Sequence, residues 1–259
     1  MTVTAFAPSA LQPVFDALQR KHFPATRFTE PQSGTIAAQF FQSRLTSAFQ
    51  PIVRASDNGI VGHHACLRVF DAGDKAVAPW SMFAQAAEDA MLVQLDRLCR
   101  TVHALNYFPR GNANRTLYLN VEPRLLGIVA DDHGAYFELV LNELGIPASR
   151  VAIVLPADAL EDPVTFVRAA ISYRMRGYRV VAQLRAHTPV DLEHIFLAEP
   201  HDVALDGPTV RASDETRKVV EALARRGIHA IARQVEDEAQ AQAARDVGFG
   251  FLQGWYFSR

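Results

Sequence analysis

Short apolar segments alternate with amphipathic segments along the chain from Ser47 to the C-terminus. Strands that are apolar on both faces are typical of a parallel sheet covered by helices. The alternation continues without a Pro/Gly/Ser-rich linker through about eight units, which favours a closed (β/α)8 barrel of the TIM type over an open sheet. Four of the predicted strands are VAIVLP (151–156), YRVVAQL (178–184), DVAL (202–205) and IHAIARQV (228–235).

The first two predicted strands form a hairpin. SAFQPIVRA (47–55) and GIVGHHACLRVF (59–70) are joined by Ser56-Asp57-Asn58-Gly59, and Asn-Gly between two apolar runs is a strong hairpin signal. We therefore expect one antiparallel strand in an otherwise parallel α/β barrel. Side chains alternate across a strand, so His63 and His64 should face opposite ways, with His63 packed under a helix.

Three further segments complete the predicted organisation. Residues 1–45 are interpreted as an N-terminal helical extension, with a helical pattern near Ala10–His22 and a helix-like IAAQFFQSRL (36–45), and residues 46–259 as the barrel domain. Apolar residues at helical spacing predict one helix from Trp80 to Phe108. The last segment, GFGFLQGWYF (248–257), is predicted as the closing strand.

Composition excludes several classes of function. The net charge is −2, so neither nucleic acid nor an anionic membrane is expected as the main partner. No window reaches the roughly 18 uncharged apolar residues of a membrane helix, and the N-terminus lacks a signal-peptide pattern. Cys66 and Cys99 have no zinc-ligand spacing and are expected to be buried thiols. These features predict a cytoplasmic protein without membrane insertion.

Eight segments, in order and with matching spacing from about residue 47 to the C-terminus, resemble the EAL domains that hydrolyse cyclic di-GMP. FQPIV (49–53) is similar to the family's opening strand, and GHHACLR (62–68) to its G-Y-E-A-L-L-R motif. The other matching segments are LYLNVEP (117–123), VAIVLPADALEDP (151–163), GYRVVAQLRAHTPVDL (177–192), HDVALD (201–206), AIARQVEDEAQ (230–240) and LQGWYFSR (252–259). The resemblance implies the EAL fold, a TIM-like barrel with an antiparallel first strand.

The resemblance also implies which residues would carry catalysis. Active members use two Mg²⁺ or Mn²⁺ ions, which prefer oxygen ligands. Carried over by position, Asn120, Glu236 and Gln253 are retained. The positions that have changed are His64 for the Glu of E-A-L, Ile153, Leu155 and Pro156 for the Glu, Thr and second Glu of E-I-T-E, Gln183 and Leu184 for D-D, Ala204 for the Lys of K-I-D, and Arg233 for the first Glu of E-G-V-E. We therefore expect loss of metal binding, no metal cofactor, no catalytic residue and no phosphodiesterase activity.

Several of these positions have more than one interpretation. His64, which the resemblance places at the barrel mouth, is either a neutral filler, a contact for a phosphate or a partner, or one ligand of a soft-metal site with Asn120 and Glu236. Gln50, Arg68 and Arg233 are candidate ligand-binding residues. Arg68 either binds a phosphate or pairs with Glu236 or Asp206. In active members, as the resemblance implies, the loop at 185–192 couples the metal site to dimerisation; Ala186 and Thr188 replace its two glycines here, which puts both roles in doubt.

Three functions are compatible with this pattern. The favoured one is a non-catalytic regulator that binds another protein in cyclic di-GMP-related signalling, for which the family's role suggests control of motility, biofilm or virulence. The alternative is a receptor that binds cyclic di-GMP without metal or hydrolysis. The third is an enzyme with altered chemistry, for which the predicted mouth offers no nucleophile–base pair.

Overall fold

The computed structural model describes residues 12–29, 34–112, 114–129, 133–185, 189–206 and 213–258. The strands in these ranges are β1 (Phe28–Thr29), β2 (Ala37–Phe40), β3 (Ser43–Arg54), β4 (Ile60–Phe70), β5 (Ala76–Val77), β6 (Thr116–Asn120), β7 (Val151–Leu155), β8 (Arg179–Leu184), β9 (Asp202–Leu205), β10 (His229–Ala232) and β11 (Phe251–Gln253). The α-helices are α1 (Gln12–Lys21), α2 (Pro79–Gln85), α3 (Asp89–Tyr107), α4 (Pro123–Ile128), α5 (Ala135–Glu143), α6 (Pro163–Met175), α7 (Pro189–Ala198), α8 (Asp214–Ala224) and α9 (Glu238–Val247).

Eight of these strands close into a barrel in the order β3-β4-β6-β7-β8-β9-β10-β11, with β11 returning to β3. β3 is antiparallel to both of its barrel neighbours, whereas the strands from β4 through β6 to β11 pair in parallel. The predicted barrel with one antiparallel strand is therefore confirmed. The Asn-Gly hairpin is confirmed as well, and Asn58 adopts a positive φ of 56° in its turn.

Side chains alternate between the barrel interior and the layer under the helices. On β7, Ala152 and Val154 belong to the interior cluster, while Val151, Ile153 and Leu155 are buried in the outer core. The same alternation on the neighbouring strands places Tyr118, Val181, Ala204 and Ile231 inside. Both faces of these strands are buried, which explains why they are almost uninterruptedly apolar in sequence.

The helical expectation for IAAQFFQSRL is wrong. Within this segment lie β2 and the beginning of β3, joined by a turn in which Phe41 has a φ of 49°. β2 pairs antiparallel with β3, and the side chain of Asn106 on α3 accepts from Ile36 N and donates to Ile36 O, both at 2.8 Å. These tertiary hydrogen bonds outweigh a weak helical pattern. The helix α1 falls inside the predicted helical region; a domain boundary at residue 45 stays a prediction.

Two other element boundaries differ from the sequence expectation. The helix predicted from Trp80 to Phe108 is divided into α2 and α3, and the guanidinium of Arg124 donates to the backbone oxygen of Phe83 at the end of α2 (2.7 Å). The closing strand is only three residues long. It ends before Gly254, where a Cβ would lie 1.8 Å from the backbone oxygen of Val235.

Candidate functional site

A cavity of about 860 Å³ lies at the carboxyl ends of the barrel strands, where functional groups collect in this type of barrel. We call it the mouth cavity. Its barrel side is lined by residues at or just beyond the ends of successive strands, namely His64, Asn120, Val154, Pro156, Gln183, Asp206 and Arg233.

The mouth cavity extends sideways to α3 because β4 and β6 separate. The two strands pair only from Gly62 to His64, while β4 continues to Phe70. Beyond His64 the gap exposes one face of α3 to the cavity. That face carries Asp96, Cys99, Arg100 and His103, which have the i, i+3, i+4, i+7 spacing of one helical stripe.

His64 is buried, with 7% of its surface exposed. Its Nε2 lies 2.9 Å from Asn120 Oδ1, so Nε2 donates to the amide oxygen. Nδ1 is then unprotonated and faces the Cys66 thiol at 3.8 Å. Burial, reinforced by the nearby charge of Arg233, lowers the pKa of His64 to about 4 despite the hydrogen bond to Asn120. His64 is therefore neutral at physiological pH.

His63 faces the opposite side of β4, as strand alternation requires. Its Nδ1 lies 3.1 Å from the hydroxyl of Tyr107 on α3, and the two rings meet edge to face. Burial lowers the pKa of His63 to about 4. The prediction that this side chain packs under a helix is confirmed.

The Arg233 guanidinium forms an ion pair with the carboxylate of Asp206, with Nη1 and Oδ1 2.7 Å apart. Both side chains line the mouth cavity and both are mostly buried. Asp206 is thus the partner of Arg233 rather than of Arg68, and Glu236 is exposed outside the described lining of the cavity. Arg68 is exposed at the rim, and its side chain makes neither a hydrogen bond nor an ion pair in the part of the chain that the structure describes.

Three positions that the motif carry-over assigned to the site on β7 and β8 do not face the mouth. Ile153 and Leu184 are buried in the outer core and face the helices, whereas Val154 and Gln183 line the mouth cavity. A one-residue shift moves a side chain to the other face of a strand, so Val154 rather than Ile153 occupies the mouth position on β7. Leu155 also faces outward, while Pro156 lines the cavity.

The remaining described site residues lie in two other environments. Ala204 lies in the barrel interior. Gln253 is buried, and its side-chain amide donates to Gln50 Oε1 at 2.8 Å, which joins the strands at the point of closure. Neither glutamine belongs to the described lining of the mouth cavity. Ala186 and Thr188 lie outside the described residues.

Sequence reasoning missed most of the charge around the mouth cavity. Its described lining contains five arginines and three carboxylates, the arginines being Arg68, Arg100, Arg124, Arg185 and Arg233. Three arginines pair with those carboxylates, namely Arg100 with Asp96, Arg124 with Glu122 and Arg233 with Asp206, and Arg185 pairs with Asp158. The i, i+4 spacing of Asp96 and Arg100 was the available signal for one of these pairs.

Sequence reasoning also missed an exposed aromatic side chain at the edge of the mouth cavity. Trp80, on α2, lines the mouth cavity with 73% of its surface exposed. From the sequence alone, Trp80 is predicted to be one of the apolar residues of a single long helix. Only the break between α2 and α3 and the contact of Arg124 with α2 show that this segment borders the cavity.

A family model for the EAL domain matches residues 33–259 of the chain. The chain belongs to the EAL domain family. Among curated proteins, this EAL domain is similar to an uncharacterized protein of Mycobacterium tuberculosis, with 28% identity over 236 residues that cover 82% of this chain and 73% of the relative.

Solved structures share the fold of this EAL domain at low sequence identity. The Bacillus subtilis YkuI protein, solved in complex with its substrate cyclic di-GMP and calcium, superposes with a TM-score of 0.69 at 19% identity, covering 83% of this chain and 55% of YkuI. The EAL domain of FimX from Pseudomonas aeruginosa, bound to cyclic di-GMP, has a TM-score of 0.68 at 15% identity, with coverage of 82% and 88%. The chain thus spans only about half the length of YkuI.

In the part of the chain that the structure describes, no α-helix combines the length and the apolarity needed to span a membrane.

Proposed function

We propose that this EAL domain is a non-catalytic regulator in cyclic di-GMP signalling that acts by binding another protein. The observation that carries the loss of catalysis is the ion pair between Arg233 and Asp206 at the mouth of the barrel. It puts a fixed positive charge, with its own carboxylate partner, where the family resemblance implies a metal ligand.

The donors around this ion pair fit a pair of divalent cations poorly. A metal bound to Asp206 would lie near the Arg233 guanidinium, and a +1/+2 pair repels by about 8 kcal/mol at about 4 Å with an effective dielectric constant of 20. His64 and Asn120 satisfy each other, and Gln183 and Val154 offer one neutral oxygen between them. Mg²⁺ and Mn²⁺ prefer several oxygen donors, including carboxylates.

The test of catalytic silence is incubation of the protein with cyclic di-GMP and either Mn²⁺ or Mg²⁺, with chromatographic detection of the linear dinucleotide. PaMucR phosphodiesterase, an EAL protein solved with cyclic di-GMP, is the positive control. We expect no linear product above the level of a no-enzyme reaction. Metal-dependent accumulation of product that scales with protein concentration would overturn this part of the proposal.

An exposed apolar face on α6 supports protein binding. Val164, Ile171 and Met175 project from one side of this helix, with 77%, 42% and 83% of their surfaces exposed. Leu197 on the adjacent α7 is 66% exposed. We call these four residues the α6–α7 apolar face. Clusters of exposed apolar side chains of this kind mark interaction sites more often than single exposed residues do.

The protein-binding role is tested by affinity capture from a lysate with the wild-type chain and with a Met175→Glu/Leu197→Glu variant. Arg225→Glu is the matched control, because Arg225 directly follows α8 and its side chain is 76% exposed. We expect a partner that the control retains and the double variant loses, with unchanged circular dichroism. If light scattering instead shows that the wild type self-associates through this face, the partner is a second copy and the proposal of a different protein fails.

A second candidate function, metal-independent binding of cyclic di-GMP, is favoured by one observation. Arg68 lines the mouth cavity with its guanidinium unpaired among the described residues, and a guanidinium can bind a phosphate through two parallel hydrogen bonds. Titration calorimetry with cyclic di-GMP, with and without Mg²⁺, tests this. Micromolar binding of cyclic di-GMP that is lost in Arg68→Ala and retained in Arg225→Ala would favour the receptor function. Absence of detectable binding would exclude it.

A further inference from the structure

A second cavity, of about 400 Å³, lies outside the barrel between α3, α4 and α5. We call it the outer cavity; its wall includes Val93, Asp96, Arg97, Arg100, Leu125 and Tyr136. Its volume falls in the range of about 300–1,000 Å³ that is usual for small-molecule sites. None of the sequence motifs falls on this region, and the family resemblance assigns no role to it.

The charges in the described lining of the outer cavity do not balance. Asp96 is the one carboxylate in its described lining, and it is bound by Arg100, with Oδ2 and Nε 2.7 Å apart and both side chains nearly buried. Burial acts to lower the pKa of Arg100, but the negative charge of Asp96 outweighs it, so the pKa is raised and the guanidinium stays charged. Asp96 is thus already paired within α3, which leaves the second arginine, Arg97, without an anionic partner among the described residues.

Arg97 is held in place without using its hydrogen-bond donors. Its guanidinium lies 3.9 Å above the centre of the Tyr136 ring, and no hydrogen bond or ion pair engages it in the described structure. A guanidinium stacked on a ring keeps its N–H groups in the stacking plane, so their edge stays available to an acceptor. A carboxylate matches that edge with two parallel hydrogen bonds.

The rest of the outer cavity suits an apolar group. Val93 on α3, Leu125 on α4 and Leu139 on α5 line it, and the rings of Tyr136 and Tyr173 form two of its aromatic surfaces. We propose that the outer cavity binds a small organic carboxylate with an aromatic or branched apolar body, the carboxylate resting on Arg97 and the body against these aliphatic side chains.

Ligand-observed NMR titration of the full chain with benzoate tests this site, with benzyl alcohol as the neutral analogue of the same shape. We expect saturable benzoate binding and an affinity for benzyl alcohol at least about tenfold lower, because hydrogen bonds to a charged group are the stronger kind. Benzoate that fails to saturate, or benzyl alcohol that binds as well as benzoate, overturns the proposal.

Two variants locate the binding. Arg97→Met keeps the aliphatic stem over Tyr136 and removes the donors, so benzoate affinity should fall about tenfold, while the control Arg225→Met leaves it unchanged. Leu139→Trp fills the cavity from a position that is 55% exposed, and it should abolish binding while the fold is retained. Unchanged affinity in Arg97→Met, or displacement of benzoate by cyclic di-GMP, would place benzoate elsewhere. Neither result depends on the hydrolysis or capture experiments above.

Discussion

Single residues set the closest contacts in the barrel wall, and Gly62 is the clearest case. A Cβ at this position would lie 2.4 Å from the backbone oxygen of Thr116 and 2.7 Å from Cε2 of Tyr118. Gly62 is the first residue of the three-residue ladder between β4 and β6, where it pairs with Thr116. A side chain at position 62 would therefore force apart the short β4–β6 ladder, which lies next to the mouth cavity.

We expect Gly62→Ala to lower the free energy of unfolding by about 1–3 kcal/mol, the usual cost of overpacking. Gly127→Ala is the matched control, since a Cβ there has no neighbour within 4 Å and alanine is the better helix former by about 1 kcal/mol. Urea denaturation monitored by circular dichroism measures both. Equal stabilities of the two variants would contradict the steric explanation.

The burial of His64 makes the free energy of unfolding depend on pH. Its pKa in the folded protein is about 4, below the ordinary value of 6.5. Between these two values the unfolded chain binds the proton and the folded chain does not. The contribution of neutral His64 to the free energy of unfolding is therefore fully present above pH 6.5, and it falls as the pH decreases toward 4.

His64→Gln should flatten the decline of the unfolding free energy between pH 6.5 and 4 by up to about 1.4 kcal/mol per pH unit, the slope for one proton. Glutamine retains a donor for Asn120. His229→Gln is the contrasting control, because the hydrogen bond to Asp202 raises the pKa of His229 and its contribution, present below pH 6.5, is lost only at higher pH. An unchanged acid slope in His64→Gln would contradict the assignment.

At the scale of elements, tertiary hydrogen bonds decide what the chain before the barrel becomes. β2 is a strand because β3 offers it a backbone ladder and because Asn106 binds both polar groups of Ile36. Buried backbone groups need such partners. The local sequence of 36–45 contains no information about Asn106, which lies some seventy positions later in the chain. The expectation of a helix was wrong for this reason.

Asn106→Ala should destabilise the protein by about 1–3 kcal/mol, the cost of leaving one buried group without a partner, because Ile36 N loses its acceptor whereas Ile36 O keeps the hydroxyl of Thr46 at 2.9 Å. Hydrogen exchange should accelerate at the amides of 36–40 more than elsewhere. Asn112→Ala, which removes a side-chain bond to the backbone of Tyr107 nearer the surface, should change these amides little. Unaltered protection of β2 in Asn106→Ala would show that the strand does not depend on this side chain.

At the scale of the whole molecule, the mouth cavity exists only because residues from distant strands converge. His64, Val154 and Arg233 come from β4, β7 and the end of β10 and face one space. The carry-over of motifs identified the correct strands, but it selected Ile153, whose side chain is in the outer core. Converting the site back to carboxylates therefore tests the register as well as the chemistry.

A variant with His64→Glu, Val154→Glu and Arg233→Glu should bind Mn²⁺, because it supplies carboxylates at the mouth and frees Asp206 from its arginine. Electron paramagnetic resonance titration measures the binding, with wild type as the negative control. A second triple variant, with Ile153→Glu in place of Val154→Glu, should instead destabilise the fold, since it would bury an unpaired carboxylate under the helices. Equal Mn²⁺ binding by both triple variants would contradict the observed register.

The amino-acid sequence by itself determined the alternation of elements, the hairpin and the EAL family, because each depends on local periodicity, turn residues and the order of short motifs. Only the tertiary structure decided that Val154 and Gln183 face the mouth, that Arg233 is bound to Asp206, and that α3 forms a wall of two cavities. The physical reason is that side-chain direction reverses with every residue of a strand, and that the separation of β4 from β6 depends on packing across the whole barrel.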